Sequence, residues 1–146
     1  MEITSPAFGQ NEKIPINSTC DGNDINPSLT FSGVPSKAKS LALIMDDPDA
    51  PAGNWTHWLV WNIEPGIATI EENSVPMGAL QGKNDFDKLS YGGPCPGSGI
   101  HHYSFRIYAL DQKLDLHEGS NKKDLESAME DHILDRAELI GTYSRG

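Results

Sequence analysis

Basic residues are scarce in this chain. Lysine and arginine number 11 against 21 aspartates and glutamates, a formal net charge of −10. Nucleic-acid backbones are held by clusters of Lys and Arg, so binding to DNA or RNA is excluded as a main role. An anionic membrane surface would repel the chain for the same reason. Long apolar runs are missing too. The longest are Leu41 to Met45 and, with one Asn inside it, Trp58 to Ile63. Both fall far short of the ~20 residues of a membrane span. The N-terminus, Met1-Glu2-Ile3-Thr4-Ser5-Pro6, lacks a basic stretch followed by an apolar one, so no signal peptide is expected. There are two cysteines, Cys20 and Cys95. A disulfide framework in a small secreted domain usually needs more. Free thiols in a cytoplasmic protein are the expectation, with a single Cys20–Cys95 bridge as the alternative.

Several catalytic signatures are absent as well. No Gly-Lys-Ser or Gly-Lys-Thr follows the glycine-rich stretch, so it is not a P-loop. There is no His-Glu-x-x-His pair of metal ligands. Ser98 lies in Gly97-Ser98-Gly99, but a nucleophile elbow needs Gly-x-Ser-x-Gly between a strand and a helix. Cys95 sits between prolines, with no helix N-terminus to lower its pKa.

What is present is a β-rich pattern in 146 residues, the length of one domain spanning 1–146. Fourteen glycines and ten prolines are spread along the chain, which excludes a helical bundle. Strands are expected at Leu41–Met45, His57–Ile63 and Ile100–Leu110, with weaker candidates at Ser28–Phe31 and Ile67–Ile70. Alternation along a strand sends His101 and Tyr103 to one face and His102 to the other. One helix is expected, capped by Ser120 or Asn121 and ending near Asp135. Its stripe would be Leu125, Met129 and Ile133. Beyond it, either a short helix at Arg136–Leu139 or a last strand at Ala137–Tyr143 fits. The fold class expected is mainly β: two antiparallel sheets packed as a sandwich, with one or two short C-terminal helices.

Three polar clusters do not look like core. Asp46-Asp47-Pro48-Asp49-Ala50-Pro51 follows a buried strand and is stiffened by proline. Asn54-Trp55-Thr56-His57-Trp58 opens the next strand. Tyr91 to Tyr103 combines a Gly- and Pro-rich loop with His101 and His102. Carboxylates, imidazoles and a phenol at strand ends, beside a glycine-rich loop, suit a small anion such as a phosphate ester.

These clusters resemble the phosphatidylethanolamine-binding protein family, also called Raf kinase inhibitor-like proteins. Asp47-Pro48-Asp49-Ala50-Pro51 is similar to the family's Asp-Pro-Asp-x-Pro signature. Trp55-Thr56-His57-Trp58 matches its Trp-x-His-aromatic segment. Gly92-Gly93-Pro94-Cys95-Pro96 and Gly99-Ile100-His101-His102-Tyr103 match its second half. Thr19-Cys20-Asp21-Gly22 and Ala137 to Tyr143 resemble the bacterial and archaeal branch.

The resemblance implies a pocket binding phosphate or phosphorylethanolamine-type groups. It would be lined by Asp47, Ala50, Pro51, Trp55, His57, Gly93, Pro94, His101 and Tyr103, with Asp49 holding the loop. His102 stands where the family has Arg, which removes a permanent positive charge. Pro96-Gly97 replaces a second proline. The resemblance further implies a non-enzymatic binding module with no cofactor, modulating a partner such as a kinase or protease. The competing reading is a metal-dependent hydrolase using Asp47, His57 and His101 as ligands. On the helix, Lys122, Lys123, Glu126, Glu130 and Asp131 read as a solvated face, with a partner-docking or homodimer contact as the sharper alternative.

The acidity is unevenly placed. From Leu89 to Leu110 there is no acid, and from Ala50 to Ile63 no formally charged residue at all. Residues 111 to 138 carry nine acids and four basic residues. The charge therefore describes the outer surface and leaves the expected pocket near neutral.

Overall fold

A computed structural model describes residues 1–145. Its strands are β1 (Glu2–Thr4), β2 (Glu12–Lys13), β3 (Leu29–Ser32), β4 (Ser40–Asp47), β5 (Trp55–Ile63), β6 (Thr69–Ile70), β7 (Leu80–Gln81), β8 (His101–Leu110) and β9 (Ile133–Tyr143). One α-helix, α1 (Lys122–Met129), precedes β9. A six-stranded sheet runs in the order β2-β9-β8-β4-β5-β7, and a three-stranded sheet in the order β1-β3-β6. Pairing is antiparallel except for the two-residue contact of β2 with β9, which is parallel.

β4 explains the layering. Every one of its residues is buried, so both faces of the large sheet are covered. Leu41, Leu43 and Met45 face the small sheet and share a cluster with Ile3, Leu29, Phe31 and Ile70. The alternate residues Ala42 and Ile44 join Leu59, Trp61, Leu125 and Met129 on the helix side. At the end of the strand the same alternation separates Asp46 from Asp47, one to each side of the sheet.

Three expectations are corrected, and one open alternative is decided. The helix stops at Met129, not near Asp135. Glu130 already leaves the helical region with ψ 134°, and Asp131 follows in a left-handed conformation with φ 68°. The residues from Ile133 on belong to a strand paired with β8 from end to end, so no helix forms at Arg136–Leu139. Ile133, the supposed third member of the buried stripe, is 46% exposed. Finally, Cys20 and Cys95 are not free thiols. They form a disulfide, with Cα atoms 5.4 Å apart.

Candidate functional site

The sheet order builds the site. β4 lies between β8 and β5 and is antiparallel to both. Its last residues therefore meet the first residues of the two flanking strands. That places Asp47, His57 and His101 at one end of the sheet. A bulge in β5 then aims His57. Met45 pairs with Trp58 and Asp46 with Thr56, leaving His57 as the extra residue. His57 packs edge-on against Tyr103, and the next residue, Trp58, packs against Tyr91, both within the inter-sheet cluster.

His101 Nδ1 lies 2.6 Å from the Asp47 carboxylate. The other oxygen of Asp47 accepts the backbone N–H of Asp49 at 2.8 Å. Both side chains are buried. His57 Nδ1 lies 2.6 Å from the carbonyl of Gly92 and donates to it. The backbone of His57 is held in turn: Gly92 N–H and the Asn84 amide both donate to its carbonyl. Burial pushes the His57 pKa down, more than the Gly92 bond and the distant charges of Asp47, Asp46 and Asp24 push it up. The phenol of Tyr103 is pushed up by burial, with Asp47 and Asp49 adding to it, and stays protonated.

His57 and His101 open into one cavity of about 350 Å³. Ala50, Pro51 and Trp55 also line it. The remaining expected residues stand behind or beside it. Asp47 backs His101. Tyr103 lies against both imidazole rings. Asp49 sits outside and accepts from His102 twice, through its backbone N–H and through Nδ1 at 2.7 Å. That pair, together with the Asp47 bond, ties the proline-rich loop to β8. It also depresses the Asp49 pKa, with the His102 side chain as the main cause. Gly93 lines a neighbouring cavity with Cys20 and Asp24, and Pro94 accepts from Cys20 N–H.

Sequence reasoning missed Phe86. Its ring stands edge-on to both Trp55 and His57 and closes one wall. The turn around Asn84 places it. Asn84 is buried and its amide group bonds His57, Ser90, Phe86 and Lys88, while Asp85 pairs with the backbone of Thr56. The disulfide also contributes, since Cys95 lines the cavity beside Pro96 and Gly97. Among the described residues no three His, Cys, Asp or Glu side chains cluster as a bound metal ion would require, the trio Asp47, His57 and His101 included.

A family model described as phosphatidylethanolamine-binding protein matches residues 4–144. The chain belongs to the phosphatidylethanolamine-binding protein family. A UPF0098 protein of Methanothermobacter thermautotrophicus is 52% identical over the whole of both chains. Another, from Pyrococcus horikoshii, is 49% identical over 97% of this chain and 75% of its own length. Among solved structures, a putative family homologue from Chlamydia trachomatis superposes with a TM-score of 0.96 at 42% identity, covering 99% of this chain and 97% of that one. YbcL of E. coli, described as a new member of the mammalian family, gives 0.92 at 32% identity, covering 99% and 98%. The mainly β fold read from sequence is therefore the family fold.

Proposed function

We propose that this family member is a binding protein for small phosphorylated anions, of the phosphate or phosphorylethanolamine type. One observation carries the reading. Two imidazoles from the strands flanking β4 open into a single cavity, and in each the Nδ1 atom is already committed to the protein. Their Nε2 atoms have no protein partner among the described residues and are not sealed from solvent. Such atoms await a polar ligand. Binding and not turnover is the proposal, because the Asp47 carboxylate is already paired with His101 and so holds that ring in place.

A partner such as a kinase or protease belongs to the same proposal and rests on the family resemblance alone. A cytoplasmic location is proposed as well, and rests on the low cysteine count of the sequence. Among the described residues no helix is long and apolar enough to cross a membrane.

Calorimetric titration with phosphate, phosphorylethanolamine and glycerophosphate tests the site. Saturable binding is expected for the wild type, and a loss of about tenfold or more in His57→Ala and Asp47→Leu, as for removal of buried polar partners. Variants that bind all three like the wild type would place the ligand elsewhere.

A further inference from the structure

We propose that the chain carries a second small-molecule site, for a free α-amino acid, in the groove between α1 and β9. It is independent of the anion-binding reading, since the two cavities share no lining residue. β8 and β9 run side by side, with Arg106 opposite Glu138 and Tyr108 opposite Arg136. Tyr108 belongs to the cluster beneath the helix, so alternation puts all four side chains on the helix side of the sheet. The helix itself packs over Ala42, Ile44, Leu59 and Trp61 of β4 and β5. Beside it opens a cavity of about 550 Å³, lined by Glu126 of the helix, by those four sheet residues and by Ala137. The volume is in the ordinary range of small-molecule sites.

One wall is braced from within the sheet. The buried Asp46 carboxylate takes both terminal nitrogens of Arg106 at 2.9 Å. Arg106 Nε–H then donates to the Tyr108 hydroxyl, also at 2.9 Å. Tyr108 is 6% exposed, and among the described residues its own proton goes to no acceptor. A buried phenol normally finds a partner for that proton. With the guanidinium on one side of the oxygen, the O–H turns away from it, and the open side is the cavity. A bond accepted from a cation also polarises the phenol and strengthens it as a donor.

The charges around this hydroxyl are left open in a matching way. Among the described residues neither Arg136 nor Glu126 makes an ion pair. Glu138 gives one oxygen to the Ser104 hydroxyl and keeps the other. Arg136 and Glu138 stand two apart on one strand, so their side chains leave the same face roughly 7 Å apart. Tyr108 and Arg136 thus supply donors for one anion, and Glu126 and Glu138 supply acceptors for one cation. A carboxylate and an ammonium on neighbouring carbons, as in an α-amino acid, meet both sets. An anion alone leaves the two carboxylates unmet, and a cation alone leaves Tyr108 and Arg136 unmet. Ala137 is the one apolar residue in the lining, which favours a small or polar ligand side chain.

Titration of the intact chain followed by amide-resolved NMR tests the site, with L-alanine and L-glutamine as probes. Saturable shifts are expected at Arg106, Tyr108, Arg136 and Glu138 at millimolar concentration, and not at His57 or His101. N-acetyl-L-alanine lacks the ammonium and L-alaninamide lacks the carboxylate. Each should bind about tenfold or more weakly than L-alanine, as for a lost charge-assisted hydrogen bond. Tyr108→Phe removes only the hydroxyl and should weaken L-alanine to a similar degree. Glu126→Gln changes an exposed helix position and should weaken it too, which keeps the test decisive if Tyr108→Phe disturbs the Arg106 cluster. If N-acetyl-L-alanine binds as well as L-alanine, the groove is an anion site only. If L-alaninamide does, it is a cation site only. Either result overturns the proposal. So does the absence of saturable shifts at the four residues with both amino acids, or shifts centred on the histidine cavity instead.

Discussion

His57 and His101 share a cavity, yet the group behind each ring differs: a carbonyl for one, a carboxylate for the other. The difference has a consequence for stability. An unfolded histidine titrates near ~6.5. Burial lowers the folded value for His57, so the unfolded state binds the extra proton first. The stabilising effect is fully present above ~6.5 and is lost as pH falls from there toward the lowered folded value. Melting temperature should drop between pH 7 and pH 5, and His57→Phe should drop less over the same window. Parallel melting profiles for the two proteins would show that the buried ring is not the cause. His101 and Asp47 were legible in sequence because strand alternation and a turn after a buried run say where side chains point. Phe86 was not. It lies in a loop with no period, and its place depends on Asn84 and Asp85 meeting the backbone of β5.

The strands that carry the site were readable for a simple reason. β4 and β5 contain short apolar runs, as strands covered on both faces do, and in β8 Tyr103, Phe105 and Ile107 alternate with His102, Ser104 and Arg106. β9 was readable only in its second half, and there as one of two alternatives, because Ile133-Leu134-Asp135-Arg136-Ala137-Glu138-Leu139 has helix-forming composition, and only its ladder with β8 makes it extended. β4, β8 and α1 are clasped on the helix side by Asp46, which is 1% exposed. Its carboxylate accepts both terminal nitrogens of Arg106 at 2.9 Å, plus Lys122 at 2.6 Å and Asn54 at 2.9 Å. Burial alone would raise its pKa, but these partners outweigh burial and hold it below the usual carboxylate value. Arg106→Met should leave a poorly compensated buried charge and cost about 3 kcal/mol or more in urea unfolding at neutral pH. A cost below about 1 kcal/mol would mean that Lys122 and Asn54 suffice.

Across the whole chain, the segment around Ser18–Asp24 is fastened to the Gly92–Cys95 loop. Tyr91 donates to Ser18 O, Gly93 N–H to Asp24, and Cys20 N–H to Pro94 O, beside the Cys20–Cys95 disulfide. Two cysteines 75 residues apart carry no pairing signal in sequence, because pairing depends on a distance that only the fold supplies. The hydrogen bonds already dock the two segments, so the disulfide acts mainly on the unfolded chain. Closing a loop of this length is worth about 4 kcal/mol in the chain-entropy model. Cys20→Ser/Cys95→Ser should therefore lose up to that much in urea unfolding while keeping phosphate affinity within about threefold, since the hydrogen-bonded wall of the cavity persists. Intact affinity with a large loss of stability is the expected pair of results. Lost affinity would show that the disulfide, and not the hydrogen bonds, shapes the wall. The size of the loss also bears on the compartment, because disulfides persist where the surroundings are oxidising. If the reduced chain is barely stable, the protein works where Cys20 and Cys95 stay joined, and the cytoplasmic location expected from a count of two cysteines holds only in a cytoplasm that preserves disulfides. If the reduced chain remains well folded, either redox setting serves.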